Sequence, residues 1–493
     1  MTVTNIILNV RNRNCNAFQV ALGVYLHSTN TPDKVISTLH HAGLCVSQAS
    51  ISRAIKSLSA EALTSLSSLG RKLLIAYAYD NFDILLKALV PTVEANTDPL
   101  KHLTSGLVFT LQHGVKLDDL RVSTELWQKY EFNDTSPSTH NTTRAHMWTT
   151  LIPRYSSLNS PTPHSPLPRH TEFKVWILLQ NLIDSGPEYF KSFRNDLQYP
   201  EPIEERIPVQ KTEIIPVQSM DIPNSTVEGN ISTVEKLLEQ TGLGELQCEQ
   251  DTVNIDPYII MFHGDLGTGE RLQSAKRRRV IEASPRSRLQ YAIFIMGLFH
   301  LKMACAETIW RVFLKDSKAR TADDKTSFYL DFKILRPRDS SGLSTSFKFR
   351  PIHEAIGHIG TCRRLDCWRI VLKKHGFSSL QEFADTRPTW DSIKVVAKEV
   401  AEEFIPNAQK LASLCNADLE NRDQVLENNL AFNLYAGMYE EITYAMNYGD
   451  IGRVEMCLLQ WVPLFEAVGK RKYANQTLKL VYELNHVFPA RTR

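Results

Sequence analysis

Asp265 lies in the part of the chain whose residue types come closest to a chemical site. The apolar segment Tyr258–Phe262 runs without alternation, which predicts a short strand buried on both faces. Asp265 is then expected where that strand leaves the sheet. A helix is predicted from Glu270 onward, and the turn between strand and helix would be formed by three flexible residues. These are Gly264, Gly267 and Gly269.

The same glycines suggest a phosphate-binding loop as an alternative. No Gly-Lys-Ser/Thr sequence follows them, and they do not form a Gly-x-Gly-x-x-Gly pattern. A phosphate loop needs those residues to contact a nucleotide. The sequence therefore favours an acidic site over a phosphate loop.

A second apolar run ends in acid at Asp80. Lys72–Asp83 is nearly unbroken in its apolar character up to that residue, and Leu103–His113 is rich in residues that favour strands. We expect two neighbouring strands, the first ending at Asp80. The alternative interpretation is that Asp80 and Asp265 each cap a turn after a strand, which is a common position for aspartate.

His300 ends a third apolar segment, Leu289–His300, which continues into a sequence with helical spacing. The pattern predicts a strand followed by a helix, with His300 at the junction. A histidine there is either a structural residue or a neighbour of the two aspartates.

Glu441 belongs to a predicted helix that ends at Gly449. On helical spacing it shares a stripe with Leu434 and Met438, whereas Glu440 leans away. A carboxylate among apolar neighbours is costly to bury without a metal or a cation. Glu441 is thus the better inward-facing acid, although a partly exposed helix glutamate fits the same pattern.

Asp80, Asp265 and Glu441 together make the set of carboxylates that holds two hard divalent cations. Oxygen ligands suit Mg²⁺ or Mn²⁺. Two such ions catalyse phosphodiester cleavage or transfer, provided that the carboxylates converge.

The N-terminal sequence predicts two helices separated by a glycine turn. Thr31 and Pro32 open the first helix, which continues to Gly43, and the second begins at Ser47. This outline is that of a helix-turn-helix, although a plain helical hairpin has the same pattern. In a helix-turn-helix the residues facing DNA would be Gln48, Ser52, Arg53 and Lys56.

A basic run follows the Asp265 segment. It could contact phosphates, act as a nuclear localisation signal, or form a solvated helix face. Its residues are Lys276, Arg277, Arg278 and Arg279.

Composition limits the class of protein. The 493 residues allow two or three domains, the net charge is only +2, and the eight cysteines are scattered. We expect no membrane span and no secretory leader, reduced thiols, and a nuclear or cytoplasmic location. Because the overall charge is small, any DNA binding must come from local patches.

Six motifs resemble a fungal family known as domain of unknown function 6589. The resemblance extends over most of the chain, and the family's activity is unassigned. The motifs are Asn16–Ser28, Ala78–Asp83, His102–Gly106, His263–Arg271, Met296–Ala304 and Gly449–Arg453.

More distantly, the layout resembles RNase H-like transposases of the hAT and Mutator type. In those proteins an Asp ends the first strand, a second Asp ends the fourth, a His follows the fifth, and a helical insertion precedes a catalytic Glu. The resemblance implies Asp80, Asp265, His300 and Glu441 or Glu440 for these positions. Two features depart from it: the Cys or Asp expected before the His is absent, and no zinc finger precedes the core.

The expected fold is α/β, an RNase H-like mixed sheet core with a helical N-terminal module and a large helical insertion. The expected function is DDE-type, metal-dependent DNA strand cleavage or transfer, or a descendant that has lost this chemistry. The alternative is a noncatalytic DNA-binding or interaction protein; a homo-oligomer is left open. The predicted boundaries are a helical module at 1–68, a core at 69–315 with loops at 133–170 and 199–228, an insertion at 316–430, and C-terminal helices at 431–493.

Overall fold

The computed structural model describes most of the chain and divides it into two compact units. The first unit comprises Met1–Ser123, Thr212–Phe262 and Arg271–Ile293, and the second comprises Thr124–Lys211, His263–Glu270 and Phe294–Arg493. The described residues are 2–85, 100–130, 133, 144–162, 165–204, 206–244, 253–314, 327–343, 346–418, 420 and 422–492.

Helices dominate the described residues. Short 3₁₀ helices lie at Leu117–Leu120 and Glu188–Asn195, and a π-helical turn lies at Glu483–Val487. In chain order the α-helices are α1 (Thr2–Arg11), α2 (Ala17–Ser28), α3 (Asp33–His41), α4 (Gln48–Gly70), α5 (Ser123–Gln128), α6 (Arg144–Leu158), α7 (Arg169–Ser185), α8 (Val227–Gln240), α9 (Leu266–Arg278), α10 (Leu298–Phe313), α11 (Phe328–Leu335), α12 (Ser340–Leu343), α13 (Phe349–Lys374), α14 (Leu380–Asp385), α15 (Trp390–Phe404), α16 (Ala408–Cys415), α17 (Gln424–Tyr448), α18 (Ile451–Ala467) and α19 (Arg471–Tyr482).

The described strands form one mixed five-stranded sheet in the order β3-β2-β1-β4-β5. Strand β1 pairs with β2 in antiparallel register, and β2 pairs in the same way with β3. The chain is thus mixed α/β, as the sequence predicts. The strands are β1 (Ile75–Leu85), β2 (Leu100–Thr110), β3 (Ile214–Pro216), β4 (Ile260–Gly264) and β5 (Ala292–Met296).

Strand β1 does not end at Asp80, contrary to the prediction. Asp80 lies opposite Ser105, and backbone pairing continues to Leu85 opposite Leu100. What ends at Asp80 is burial, because Tyr79 is buried and Asp80 is exposed. The apolar run marks the covered half of the strand, and ladder hydrogen bonds extend the strand beyond it.

Helix α8 covers part of the sheet in the first unit. The hydroxyl of Tyr77 lies 2.6 Å from the hydroxyl of Thr241, and Tyr79 donates to Asn230 at 3.0 Å. A Cβ on Gly106 would come within 2.9 Å of a methyl of Leu237. Glycine at 106 therefore lets α8 pack closely on β2.

The N-terminal helices belong to the same compact unit as β1, β2 and β3. Their core contains the buried side chains of Ile36, Cys45 and Ile51. Helix α4 continues to Gly70, whose hypothetical Cβ would lie 2.1 Å from the backbone oxygen of Thr241. Close contact with the segment after α8 thus ties α4 to the sheet.

The second unit is mainly helical. One cluster includes Trp461 and joins buried residues of α10, α13, α17 and α18. A second cluster includes Trp368 and joins α7, α13 and α15. The predicted insertion at 316–430 contains α11 to α16 and the first residues of α17.

The two predicted loops contain regular structure. Helix α6 lies within 133–170, and β3 lies within 199–228. Helix α6 has a Ser- and Pro-containing sequence, with Pro153 inside it, but Leu151 and Leu158 are buried. Tertiary packing therefore stabilises a helix that local composition does not predict.

No helix within the described ranges is both long and apolar enough to cross a membrane.

Candidate functional site

Asp265 is the N-terminal cap of α9. One carboxylate oxygen accepts a hydrogen bond from the backbone N–H of Thr268 at 2.6 Å. Helix α9 begins at Leu266, not at Glu270, so Gly267 and Gly269 are helical and the expected glycine turn is absent. A Cβ on Gly269 would lie 2.3 Å from the ring of Phe294, so glycine permits close packing there. Asp265 therefore makes the capping contact that the alternative interpretation predicts, in which the aspartate caps a turn after its strand.

Asp80 and His300 lie on elements of different units. Asp80 belongs to β1 of the first unit, and its carboxylate accepts the N–H of Asn81 at 2.8 Å. His300 belongs to the second unit and lies in the first turn of α10, after β5 has ended at Met296. It is half-buried, next to the exposed ring of Phe299.

Glu441 lies on α17 and is buried, on the side of the helix that its spacing predicts. Its carboxylate is hydrogen-bonded to Nδ1 of His170 at 2.6 Å and to the guanidinium of Arg453 at 3.0 Å. Burial raises the pKa of Glu441, but His170 and Arg453 outweigh that effect, and the pKa lies below its usual value. The carboxylate is thus held ionised, and Nδ1 of His170 is the donor.

Arg453 is fully buried, and each part of its guanidinium has a partner. Its Nε donates to Asp450 at 2.9 Å, and a terminal nitrogen donates to the backbone oxygen of Glu201 at 2.9 Å. Asp450 also caps α18 by accepting the backbone N–H of Arg453. A buried charge needs this degree of compensation.

Glu440 is paired with a different arginine. Its two carboxylate oxygens accept from the two terminal nitrogens of Arg364 at 2.6 and 2.8 Å. Arg364 also donates from Nε to Asn181 at 2.6 Å, and its side chain is only 2% exposed. This bidentate geometry is the strong form of a carboxylate–guanidinium contact. Both candidate glutamates are therefore neutralised by arginine.

His170, Glu441 and Cys457 form a compact group whose ligand atoms all lie within 4.8 Å of one another; it is the one such group of His, Cys, Asp and Glu found among the described residues. Burial raises the pKa of the Cys457 thiol well above its usual value. A metal needs the thiolate, and Arg453 beside Glu441 opposes a further cation. The group does not fit a metal centre.

A cavity of about 750 Å³ adjoins this network in the second unit. Helices α6, α7, α16, α17 and α18 form its walls, and His170, Lys174 and Glu441 are its charged or ionisable boundary on α7 and α17. The side-chain nitrogen of Gln460 lies 2.8 Å from the hydroxyl of Tyr155 and also contacts Nε2 of His170. Glu441, His170, Gln460 and Tyr155 thus form a continuous chain of polar contacts at one wall of the cavity.

The predicted DNA-contacting side chains of α4 are all exposed. They are Gln48, Ser52, Arg53 and Lys56. Ile51 is buried on the opposite side, as expected for a helix that packs on α2 and α3. Gln48 contacts Asp33 of α3, and Arg53 contacts the hydroxyl of Ser50 at 3.2 Å.

The basic run of α9 is divided between structural and exposed side chains. Lys276 donates to the backbone oxygen of Ala292 at 2.8 Å, and Arg279 donates to Glu235 at 3.3 Å. Arg277 and Arg278 are exposed. Helix α9 therefore does not present a uniformly solvated basic face.

Three important residues of the second unit were not predicted. His170 and Lys174 lie on α7. His170 is the last residue of a predicted loop, and Lys174 follows that loop. Arg453 belongs to one of the six motifs, but the sequence assigns it no role. For Arg453 a signal did exist. Asp450 followed by Arg453 is an acidic cap with a basic residue in the first turn, which is unusual for a helix start unless the two pair.

The family of the chain is shown by a match over residues 152–493 to the group described as "Family of unknown function (DUF6589)", and the chain belongs to that family. Three of the six motifs quoted above lie within the matched residues, and the three that precede residue 152 lie outside them. No curated protein and no solved structure matches the chain.

Proposed function

We propose that this member of the DUF6589 family is a transposase-derived protein that binds DNA and lacks a complete three-carboxylate metal site.

The order of elements supports descent from an RNase H-like enzyme. Asp80 is on the first strand of the sheet, Asp265 directly follows the fourth, and His300 comes shortly after the fifth. Among the described residues, six helices, α11 to α16, then precede the helix that carries Glu440 and Glu441. This chain order supports the resemblance to hAT and Mutator transposases, with the difference that Asp80 lies within its strand and not at the end of it.

The observation that carries the loss of chemistry is the pairing of both glutamates with arginine. Hard divalent cations need carboxylate oxygens that are free to coordinate. Glu440 gives both oxygens to Arg364, and Glu441 gives one each to Arg453 and His170. The third ligand of a two-metal site is therefore not supplied by either residue. The donor set therefore does not fit Mg²⁺ or Mn²⁺.

DNA binding is supported by the exposed face of α4. Arg53 and Lys56 offer positive charge, while Gln48 and Ser52 offer hydrogen-bonding groups that can reach base edges. Helix α4 packs through Ile51 on the preceding helices, and Ser52, Arg53 and Lys56 are exposed, while Gln48 also contacts Asp33 of α3. A helix presented in this way suits the major groove.

The proposal is tested with the full chain in two assays. Fluorescence anisotropy with a labelled duplex is expected to show binding that weakens as salt increases, because phosphate contacts release counterions. Incubation with supercoiled plasmid and Mg²⁺ or Mn²⁺ is expected to leave the plasmid intact. Metal-dependent nicking that Asp265→Asn and Glu441→Gln both abolish would contradict the loss of chemistry. An absence of DNA binding even at low salt would contradict the binding function.

A further inference from the structure

The cavity of the second unit has the dimensions of a small-molecule site. Its volume of about 750 Å³ falls within the ~300–1,000 Å³ that is typical of ligand pockets. Its walls are largely apolar and come from several helices. Representative wall residues are Leu151, Phe173, Leu434, Met438 and Leu464.

Gly437 borders this cavity and keeps part of it open. It lies in the interior of α17, where a Cβ would meet nothing within 4 Å. Glycine in a helix interior destabilises the helix relative to alanine. No turn or close neighbour at 437 requires glycine, in contrast to Gly360, where a Cβ would lie 3.1 Å from the guanidinium of Arg364. The absence of a side chain at Gly437 therefore leaves more space in the cavity.

Lys174 gives the cavity an ammonium group without a carboxylate partner. Its Nζ donates to the backbone oxygens of Ile405 and Pro406 at 3.1 and 3.2 Å. An ammonium has three donors, so one remains available. No described carboxylate lies within ion-pair distance of Lys174; the other charged wall residue, Glu441, is paired with Arg453. Burial lowers the pKa of Lys174, and the charge of Glu441 opposes that effect.

We propose that this cavity binds a small organic anion with an apolar body and one acidic head group, which contacts Lys174. The apolar walls suit the body, and one ammonium balances one negative charge. A neutral apolar molecule would leave Lys174 without an anion. A nucleotide would bring several negative charges against this single unpaired cation.

Two probes of similar size and different charge test the proposal on the full chain. 8-Anilinonaphthalene-1-sulfonate has an apolar body with one sulfonate, and N-phenyl-1-naphthylamine is its neutral counterpart. Fluorescence titration is expected to show one saturable site for the sulfonate, with tighter binding than for the neutral probe. Decanoate is expected to displace the sulfonate more effectively than decanol does.

Lys174→Met is expected to weaken binding of the sulfonate about tenfold, since a charge-assisted hydrogen bond is lost, and to leave the neutral probe nearly unchanged. Gly437→Leu is expected to weaken both probes by filling space, while Gly437→Ala has a smaller effect. Lys191→Met, a change at an exposed lysine, is the matched control. Circular dichroism and thermal melting verify that each variant is folded.

Three results would overturn the proposal. The first is equal loss of both probes in Lys174→Met, which would point to damage of the cavity and not to a charge contact. The second is unchanged binding in the folded Gly437→Leu variant, which would place the probe elsewhere. The third is binding that does not saturate at one probe per chain, as nonspecific apolar surfaces give.

Discussion

Arg453 and Glu441 form an ion pair of 3.0 Å in which the arginine side chain is fully buried and the glutamate side chain is 4% exposed. The pair joins α17 to α18, and through its other contacts it also reaches α7. A glutamate that the sequence assigns to a metal site thus stabilises the helical unit.

Arg453→Met is expected to destabilise the protein by about 3–5 kcal/mol, because breaking a buried pair leaves an uncompensated charge. Chemical denaturation monitored by circular dichroism measures this loss. Lys191→Ala removes one partner of an exposed pair and serves as the control, with an expected effect of roughly 0–1 kcal/mol. Equal effects of the two substitutions would show that the buried network contributes no more than a surface pair.

The lowered pKa of Glu441 predicts how stability depends on pH. A carboxyl group whose pKa is depressed by folding contributes stability above its unfolded-state pKa, about 4.3, and this is lost as pH falls through the folded-state pKa. The stability difference between the wild type and Glu441→Gln should therefore shrink as the solution is acidified from neutral pH to below about pH 4. A difference that stays constant over that range would contradict the assigned direction of the pKa.

The capping contact of Asp265 predicts different effects for two substitutions. Asp265→Ala removes the acceptor for the N–H of Thr268 and should cost about 1 kcal/mol of folding free energy. Asp265→Asn keeps an acceptor and should cost much less. Thermal melting of both variants measures the contrast. Equal destabilisation by both would show that the charge, and not the cap, is what Asp265 contributes.

Sequence preference for DNA is expected to reside in α4. Selection of sites from random duplexes should enrich one sequence with the intact chain, and Gln48→Ala combined with Arg53→Ala should abolish that enrichment, since each base contact contributes ~1–3 kcal/mol. The matched control is Arg277→Ala with Arg278→Ala, which should weaken binding to all sequences alike. Enrichment of the same sequence by the α4 double variant would make that helix a packing surface.

Local patterns in the sequence are sufficient to predict β1, β2, β4 and β5 and the inward side of α17, but not β3, which lies in a segment predicted to be a loop. The uninterrupted apolar runs identify β1 and β4, and the spacing of Glu441 places it toward the packed side. These are properties of residues close together in the chain. The end of β1 is different, because ladder pairing with β2 carries the strand past Asp80 into exposed residues.

The partners of Glu441 could not be predicted from the sequence. His170 is 271 residues away in the chain, and it follows a Ser- and Pro-rich segment that reads as a loop. A buried glutamate needs a cation or a metal, but the spacing of residues does not specify which of the two is present. Tertiary packing of α7, α17 and α18 places an arginine and a histidine next to Glu441.

The most direct test of the central claim is calorimetric titration of Mn²⁺ into the full chain, with and without duplex DNA. Because Glu440 and Glu441 are paired with arginines, we predict no two-ion binding and no change in the isotherm on Glu441→Gln. Glu427→Gln, which alters a different buried glutamate of α17, is the control. Two ions bound per chain, with binding lost in both Asp265→Asn and Glu441→Gln, would contradict the account. That result would support the function of a metal-dependent enzyme instead.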